Sequence, residues 1–149
     1  MALKQIRLSN DEILRKKSGV VKVVDNKIRQ ILNDMSETMY HLEGGGLAAP
    51  QVGVLKRLVV IDMGQGLIKL VNPVIIKQEG TQEVTEGCLS LPNVLGKLMR
   101  PATITVQAMN ENSQKIVLTG TGDLAKCFCH EIDHLDGILF TDLVTQYIK

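Results

Sequence analysis

No charge of one sign dominates this chain of 149 residues: 17 Lys and Arg stand against 16 Asp and Glu, a formal charge of +1. Without a broad electrostatic footprint, direct binding to nucleic acid or to an anionic membrane is not expected, and any substrate is recognised locally. No apolar run approaches the ~18–20 residues that a membrane-crossing helix needs. The opening segment Met1–Asn10 also lacks an uninterrupted apolar core before Asp11 and Glu12, so a soluble, cytoplasmic protein is expected. A disulfide framework is missing too. The cysteines number three, and two of them, Cys127 and Cys129, sit beside histidines, which points to a reducing compartment. There is no internal repeat, low-complexity segment or linker. A chain of this length buries about 68–70% of its unfolded surface without disulfides or a structural metal, and one domain over residues 1–149 is expected.

Ser9-Asn10-Asp11-Glu12 has the S-x-x-E form of a capping box and predicts a short helical stretch ending near Ser18-Gly19. From Asp25 as N-cap, Ile28, Ile31, Leu32, Met35, Met39 and Leu42 recur at helical spacing until Gly44–Gly46 stop the pattern. That stripe should face a sheet. Short β-branched runs follow at Leu58–Ile61, Leu67–Val71, Val74–Ile76, Thr103–Ala108 and Ile116–Leu118, separated by Gly, Pro and Asn. Leu124–His134 then has helical periodicity without Gly or Pro, up to Asp136-Gly137. The order predicts an α+β fold, with a largely antiparallel sheet packed against an N-terminal helix and a central helix over Leu124–His134.

That last helix carries His130-Glu131-Ile132-Asp133-His134, an H-E-x-x-H pattern. Two histidines four apart lie on one helix face about 6 Å apart along the axis, close enough to share an ion, while the glutamate projects beside it without being a ligand. Two imidazoles leave a zinc-type site incomplete, so a third ligand is required. The metzincin pattern is excluded because Phe140 occupies the position of its third histidine. A thermolysin-like downstream glutamate is excluded as well, since no Glu or His follows His134; Asp136 and Asp142 are the only side-chain carboxylates there. An upstream ligand is favoured. Cys127 shares the helical stripe, but its Cα lies about 10.5 Å along the axis from that of His134, too far for a common ion. It suits a pocket wall, and Cys129, on another face, an ordinary buried thiol. Cys88, between Gly87 and Leu89-Ser90-Leu91-Pro92, reads either as a thiolate at a strand end or loop approaching the helix, or as a core cysteine.

Three segments taken in order, Gly44-Gly45-Gly46-Leu47-Ala48-Ala49-Pro50-Gln51, Glu86-Gly87-Cys88-Leu89-Ser90 and His130-Glu131-Ile132-Asp133-His134, resemble the three signature motifs of peptide deformylases. The resemblance spans nearly the whole chain and matches the bacterial type without a C-terminal extension. It implies that Cys88, His130 and His134 bind one divalent metal with a fourth position left open, that Glu131 is the general base, and that the Gln51 amide and the Leu89 backbone N–H stabilise the oxyanion. The implied reaction removes the formyl group from the N-terminal formylmethionine of new polypeptides and releases formate. The implied ion is Fe2+, with Zn2+, Ni2+ or Co2+ as substitutes.

The resemblance also implies that an extended peptide pairs against the backbone of Gly45, Gly46 and Gly87, with Val84, Leu124 and Cys127 lining the methionine pocket. Gly45 departs from the aliphatic residue common there, and Lys126 from the aliphatic of some members; its stem can pack while the ammonium reaches solvent. Arg100 reads as a partner of Glu86 that braces the cysteine loop or as a surface arginine, and Asp133 as a group orienting a ligand imidazole or as a helix-surface carboxylate. The implied partners are N-formylmethionyl nascent chains and, transiently, the ribosome. The tail Leu143–Lys149 has one positive side chain and offers no strong electrostatic anchor. Two other readings remain: another metal-dependent amidase or peptidase, which leaves the Gly46–Gln51 segment without a role, and an inactive metal-binding homologue.

Overall fold

A computed structural model describes residues 2–148; Lys149, the tail's one basic side chain, lies outside the described residues. Helix α1 (Asn26–His41) starts at Asp25, whose side chain accepts from the Ile28 N–H, as the spacing predicts. Strands β1 (Gly46–Ala48), β2 (Leu58–Ile61), β3 (Ile68–Glu79), β4 (Gln82–Cys88), β5 (Leu91–Arg100), β6 (Thr103–Met109) and β7 (Lys115–Thr121) follow, then helix α2 (Asp123–Leu135) and a short β8 (Gln146–Ile148). The strands form two antiparallel sheets, one in the order β1-β2-β3-β6-β7 and one in the order β4-β5-β8. This is the expected α+β arrangement, with the sheet divided in two.

The uniform apolarity of Leu58-Val59-Val60-Ile61 has a simple cause: β2 is covered on both faces. Val59 and Ile61 pack with Ala125, Phe128, Ile132 and Leu135 of α2, while Leu58 and Val60 pack with Leu32, Met35 and Met39 of α1. A third cluster, of Leu14, Val84, Leu91, Leu98, Leu139 and Phe140, joins the smaller sheet to the chain around it. Among the described residues, no helix is long and apolar enough to cross a membrane.

Several boundaries differ from the sequence reading. The first helical stretch is only a 3-10 turn, Glu12–Arg15, capped by Asp11 through the Ile13 N–H rather than by Ser9. The Ser9 N–H donates instead to the Ser90 carbonyl at 2.9 Å. Helix α1 ends one residue before Leu42, which is exposed, and Glu43 rather than a glycine takes the left-handed position at φ 57°. The two runs flanking Pro73 are one strand, because bulges on either side of Val74 and Ile75 and a left-handed Asn72 accommodate the proline. Strands β1, β4, β5 and β8 lie outside the β-branched runs of the sequence; β4 buries Glu86 among its residues, which hides any apolar alternation.

The end of α2 fixes the orientation of the histidine-bearing turn. Gly137, at φ 75°, donates to His134 O at 3.2 Å and Ile138 donates to Asp133 O at 3.0 Å, the paired bonds of a Schellman motif. A Cβ on Gly137 would lie 2.5 Å from the Arg15 carbonyl oxygen, a backbone atom with little freedom to yield. Gly137→Ala is therefore expected to lower the unfolding free energy by at least about 1–2 kcal/mol, read by urea denaturation. A loss below about 0.5 kcal/mol, the range of an ordinary surface change, would contradict this account of the helix end.

Candidate metal centre and active site

Cys88 is the last residue of β4, and the pairing with β5 shifts register here, from Glu86 opposite Gly96 to Cys88 opposite Leu91. Its Sγ lies 3.3 Å from His134 Nε2. With His130 it forms a set whose ligand atoms all lie within 4.8 Å of one another. For a tetrahedral ion with a sulfur at about 2.3 Å and a nitrogen at about 2.0–2.1 Å, those two donors would be about 3.5 Å apart, so the spacing fits. The histidine rings are one turn apart on α2, with centroids 5.0 Å apart and planes crossed at 70°.

Glu86 sets the orientation of His130. Its Oε1 is 2.7 Å from His130 Nδ1, so with Nδ1–H donating, Nε2 is left with a free lone pair. The same carboxylate is held by Arg100 through Nε at 2.7 Å and a second guanidinium nitrogen at 3.0 Å. Arg100 also reaches Asp133 at 2.7 Å. The brace between Arg100 and Glu86 is thus formed, but Asp133 holds the arginine; it is Glu86 that orients an imidazole. Period-two spacing on a strand puts Glu86 on the same side as Cys88, a signal present in the sequence.

Burial would push the Glu86 carboxyl up, but its bonds to Arg100 and His130 prevail and hold it down to about 2. Burial, with the charge of His130 added, depresses His134 to about 3 and keeps it a neutral donor. Burial favours neutral His130 as well, but Glu131, Cys88 and Glu86 together raise it well above its ordinary value, so without a metal Nε2 holds a proton that a bound ion would displace. Glu131 is pushed up to about 7 by burial, with His130 opposing and Glu86 reinforcing the shift. A carboxyl near neutrality suits both taking and returning a proton. Its Oε2 lies 4.0 Å from His130 Nε2, and its Oε1 is buried without a hydrogen-bond partner among the described residues. An unpartnered carboxyl oxygen beside a cysteine sulfur and two imidazoles suits a hydrolytic metal centre.

Gln51, almost fully buried, points its amide at the same place. Ala48 N–H donates to Oε1 at 3.0 Å, which turns Nε2 toward Cys88 Sγ at 3.4 Å and Ser90 Oγ at 3.2 Å. Ser90, which sequence reasoning did not single out, thereby helps orient the amide; Leu89 stands in the turn between β4 and β5 and lines the cavity.

The cavity, about 410 Å³, is lined by Gly45, Gly46, Gly87, Lys126, Cys127 and Glu131 among others. Gly46 is needed for close approach: a Cβ there would come 2.7 Å from Glu131 Oε2 and 2.8 Å from Cys127 Sγ. Cys127 donates to the Gly45 carbonyl at 3.7 Å, and burial followed by the charge of Glu131 keeps it a thiol. Val84 and Leu124 are placed elsewhere. Val84 faces the third core cluster, and Leu124 packs over Gly120.

Fold and donor set together define a metal-dependent hydrolase. The polypeptide deformylase family model matches residues 3–148, and the chain belongs to that family. It is 71% identical over 150 residues to peptide deformylase 2 of Clostridium acetobutylicum, covering 100% of both chains. It is 57% identical over 148 residues to the peptide deformylase of Acetivibrio thermocellus, covering 99% of this chain and 87% of that one. The crystal structure of the Thermotoga maritima peptide deformylase superposes with a TM-score of 0.94 at 37% identity, covering 96% of this chain and 98% of that one. The chain is therefore a hydrolase that removes the N-formyl group from nascent peptides, and its family uses one divalent metal.

The Glu86 link has two measurable consequences. Glu86→Gln should weaken metal affinity by about 10–100-fold, read by chelator competition. In protein stripped of metal, ionised Glu86 contributes stability above its ordinary value of 4.5, and that contribution fades as pH falls toward about 2. The stability gap between wild type and Glu86→Gln should accordingly narrow over that window in urea titrations; a gap independent of pH would contradict the assignment.

Proposed function

We propose that Cys88, His130 and His134 hold the metal, Fe2+ physiologically, and that Glu131, Gln51 and Leu89 act on the formyl group beside it. The observation that carries this reading is the convergence of the three ligand atoms within 4.8 Å at a cavity that also receives Glu131 and the Gln51 amide. When bound, the ion supplies Lewis acidity that lowers the pKa of water from 15.7 toward about 7. Glu131 takes the proton of the attacking water and returns it to the amine that leaves as the formyl C–N bond breaks. The Gln51 Nε2–H and the Leu89 N–H donate to the oxygen that becomes negative as the formyl carbon turns tetrahedral.

Substrate binding follows from the sheet edges. β1 and β4 each end a sheet. Because Gly45 O accepts from Asp62 N–H toward β2 at 2.9 Å, the alternation of an antiparallel ladder turns the N–H and C=O of Gly46 outward. An extended formylmethionyl peptide can add there as a strand, with Gly87 of β4 across the cavity and Cys127 walling its side-chain pocket. The substrate class suits the bacterial cytoplasm, where nascent chains are met transiently at the ribosome.

Formate release from formyl-Met-Ala-Ser tests the reading, and cleavage of internal peptide bonds without formate release would overturn it. Glu131→Gln is expected to keep metal and fold while turnover falls by about 10²–10⁴-fold; a fully active variant would remove Glu131 from the mechanism. Cys and two His suit several divalent ions, so the iron assignment is tested with protein purified without oxygen: activity should track iron content. Full activity with zinc alone would contradict it.

A further inference from the structure

One wall of the cavity is built in a way the reaction chemistry does not require. Gly45 has no side chain, yet the place of one is filled. A Cβ built on Gly45 would lie 2.5 Å from Met63 Sδ and 3.8 Å from its Cε. Met63 stands just beyond β2 and lines the cavity with Gly45, Lys126 and Cys127. Its root is fixed: Asp62 N–H donates to the Gly45 carbonyl at 2.9 Å, and the Asp62 carboxylate accepts from Tyr40 O–H at 2.6 Å and from Gly64 N–H at 2.9 Å. Its side chain is free enough to move, being 37% exposed, on a loop whose Gly64 and Gly66 have open space around them.

We propose that Met63 is a specificity-determining residue, its thioether replacing the side chain missing at Gly45 and packing against the side chain of the formylated substrate residue. This rests on the deformylase reading above. A methionine has three rotatable bonds and a polarizable sulfur, so it moulds to what it touches. A branched side chain at position 45 itself would hold one rotamer and present a fixed wall. The pair Gly45 and Met63 thus acts as one unit: the glycine leaves the space, and the loop residue fills it adaptably. Truncating Met63 removes contact that substrate and transition state share, so KM should bear the loss more than kcat.

The test compares formyl-Met-Ala-Ser with formyl-Phe-Ala-Ser for wild type, Met63→Ala, Met63→Leu, Gly45→Val and the Gly45→Val/Met63→Ala double variant, all at matched metal content and with folding checked by circular dichroism. Met63→Ala should raise KM for the Met peptide and lower the Met-over-Phe ratio of kcat/KM by about tenfold, the scale of a lost apolar pocket contact. Met63→Leu, which conserves volume, should stay within about threefold of wild type. Gly45→Val should be impaired alone and partly restored by Met63→Ala, a coupling expected of groups that share one space. An active Met63→Ala enzyme whose ratio is unchanged, or additive effects at the two positions, overturns the proposal while leaving the deformylase reading intact. No formate from either peptide with wild type overturns both.

Discussion

The buried carboxylate of Glu86 is the contact on which the rest of the site depends. It belongs to β4 of the smaller sheet, yet it accepts hydrogen bonds from Arg100 of β5 and His130 of α2, and Arg100 extends the network to Asp133 on the same helix. A charge this deeply buried is tolerable only when it is fully bonded, because an unpaired one costs several kcal/mol. The two sheets therefore meet in a register that satisfies Glu86. That register carries Cys88, two residues further along, to His134.

The helix and strand that supply the ligands are anchored by different means. Helix α2 sits on the larger sheet through Phe128, Ile132 and Leu135, and is stopped by Gly137. The cysteine strand belongs to the other sheet and leans on Leu14, Leu139 and Phe140. A site shared by two sheets leaves edge strands facing each other across a cavity, which is the geometry an extended peptide end needs. The same burial that depresses His134 and raises Glu131 gives one group the form that donates to a cation and the other the form that exchanges a proton near neutrality.

Much of this was legible in the residues alone. The H-E-x-x-H spacing on α2, the stripe of α1 from its Asp25 cap, and the apolar run of β2 report local periodicity, which a single chain displays openly. Cys88 could be narrowed to a candidate by excluding downstream ligands, but its approach to α2 depends on a pairing between β4 and β5 that polar burial conceals. For the same reason Asp133 reads equally as an imidazole's partner or a helix-surface carboxylate, and Arg100 as a brace through Glu86 or a surface arginine: helical proximity is visible in sequence, whereas contact between a strand and a helix is not. Val84 and Leu124 pack into clusters whose members come from distant parts of the chain, which local spacing does not display. The Met63 and Gly45 pair is a contact across two loops that no spacing announces.

The central claim is that a thiolate from the smaller sheet and two imidazoles from α2 share one ion. X-ray absorption spectroscopy of the zinc-loaded protein tests it most directly. The account predicts one sulfur at about 2.3 Å and two imidazole nitrogens at about 2.0–2.1 Å, with the sulfur lost in Cys88→Ala and retained in Cys127→Ala. A first shell without sulfur, or one whose sulfur survives Cys88→Ala, would contradict it.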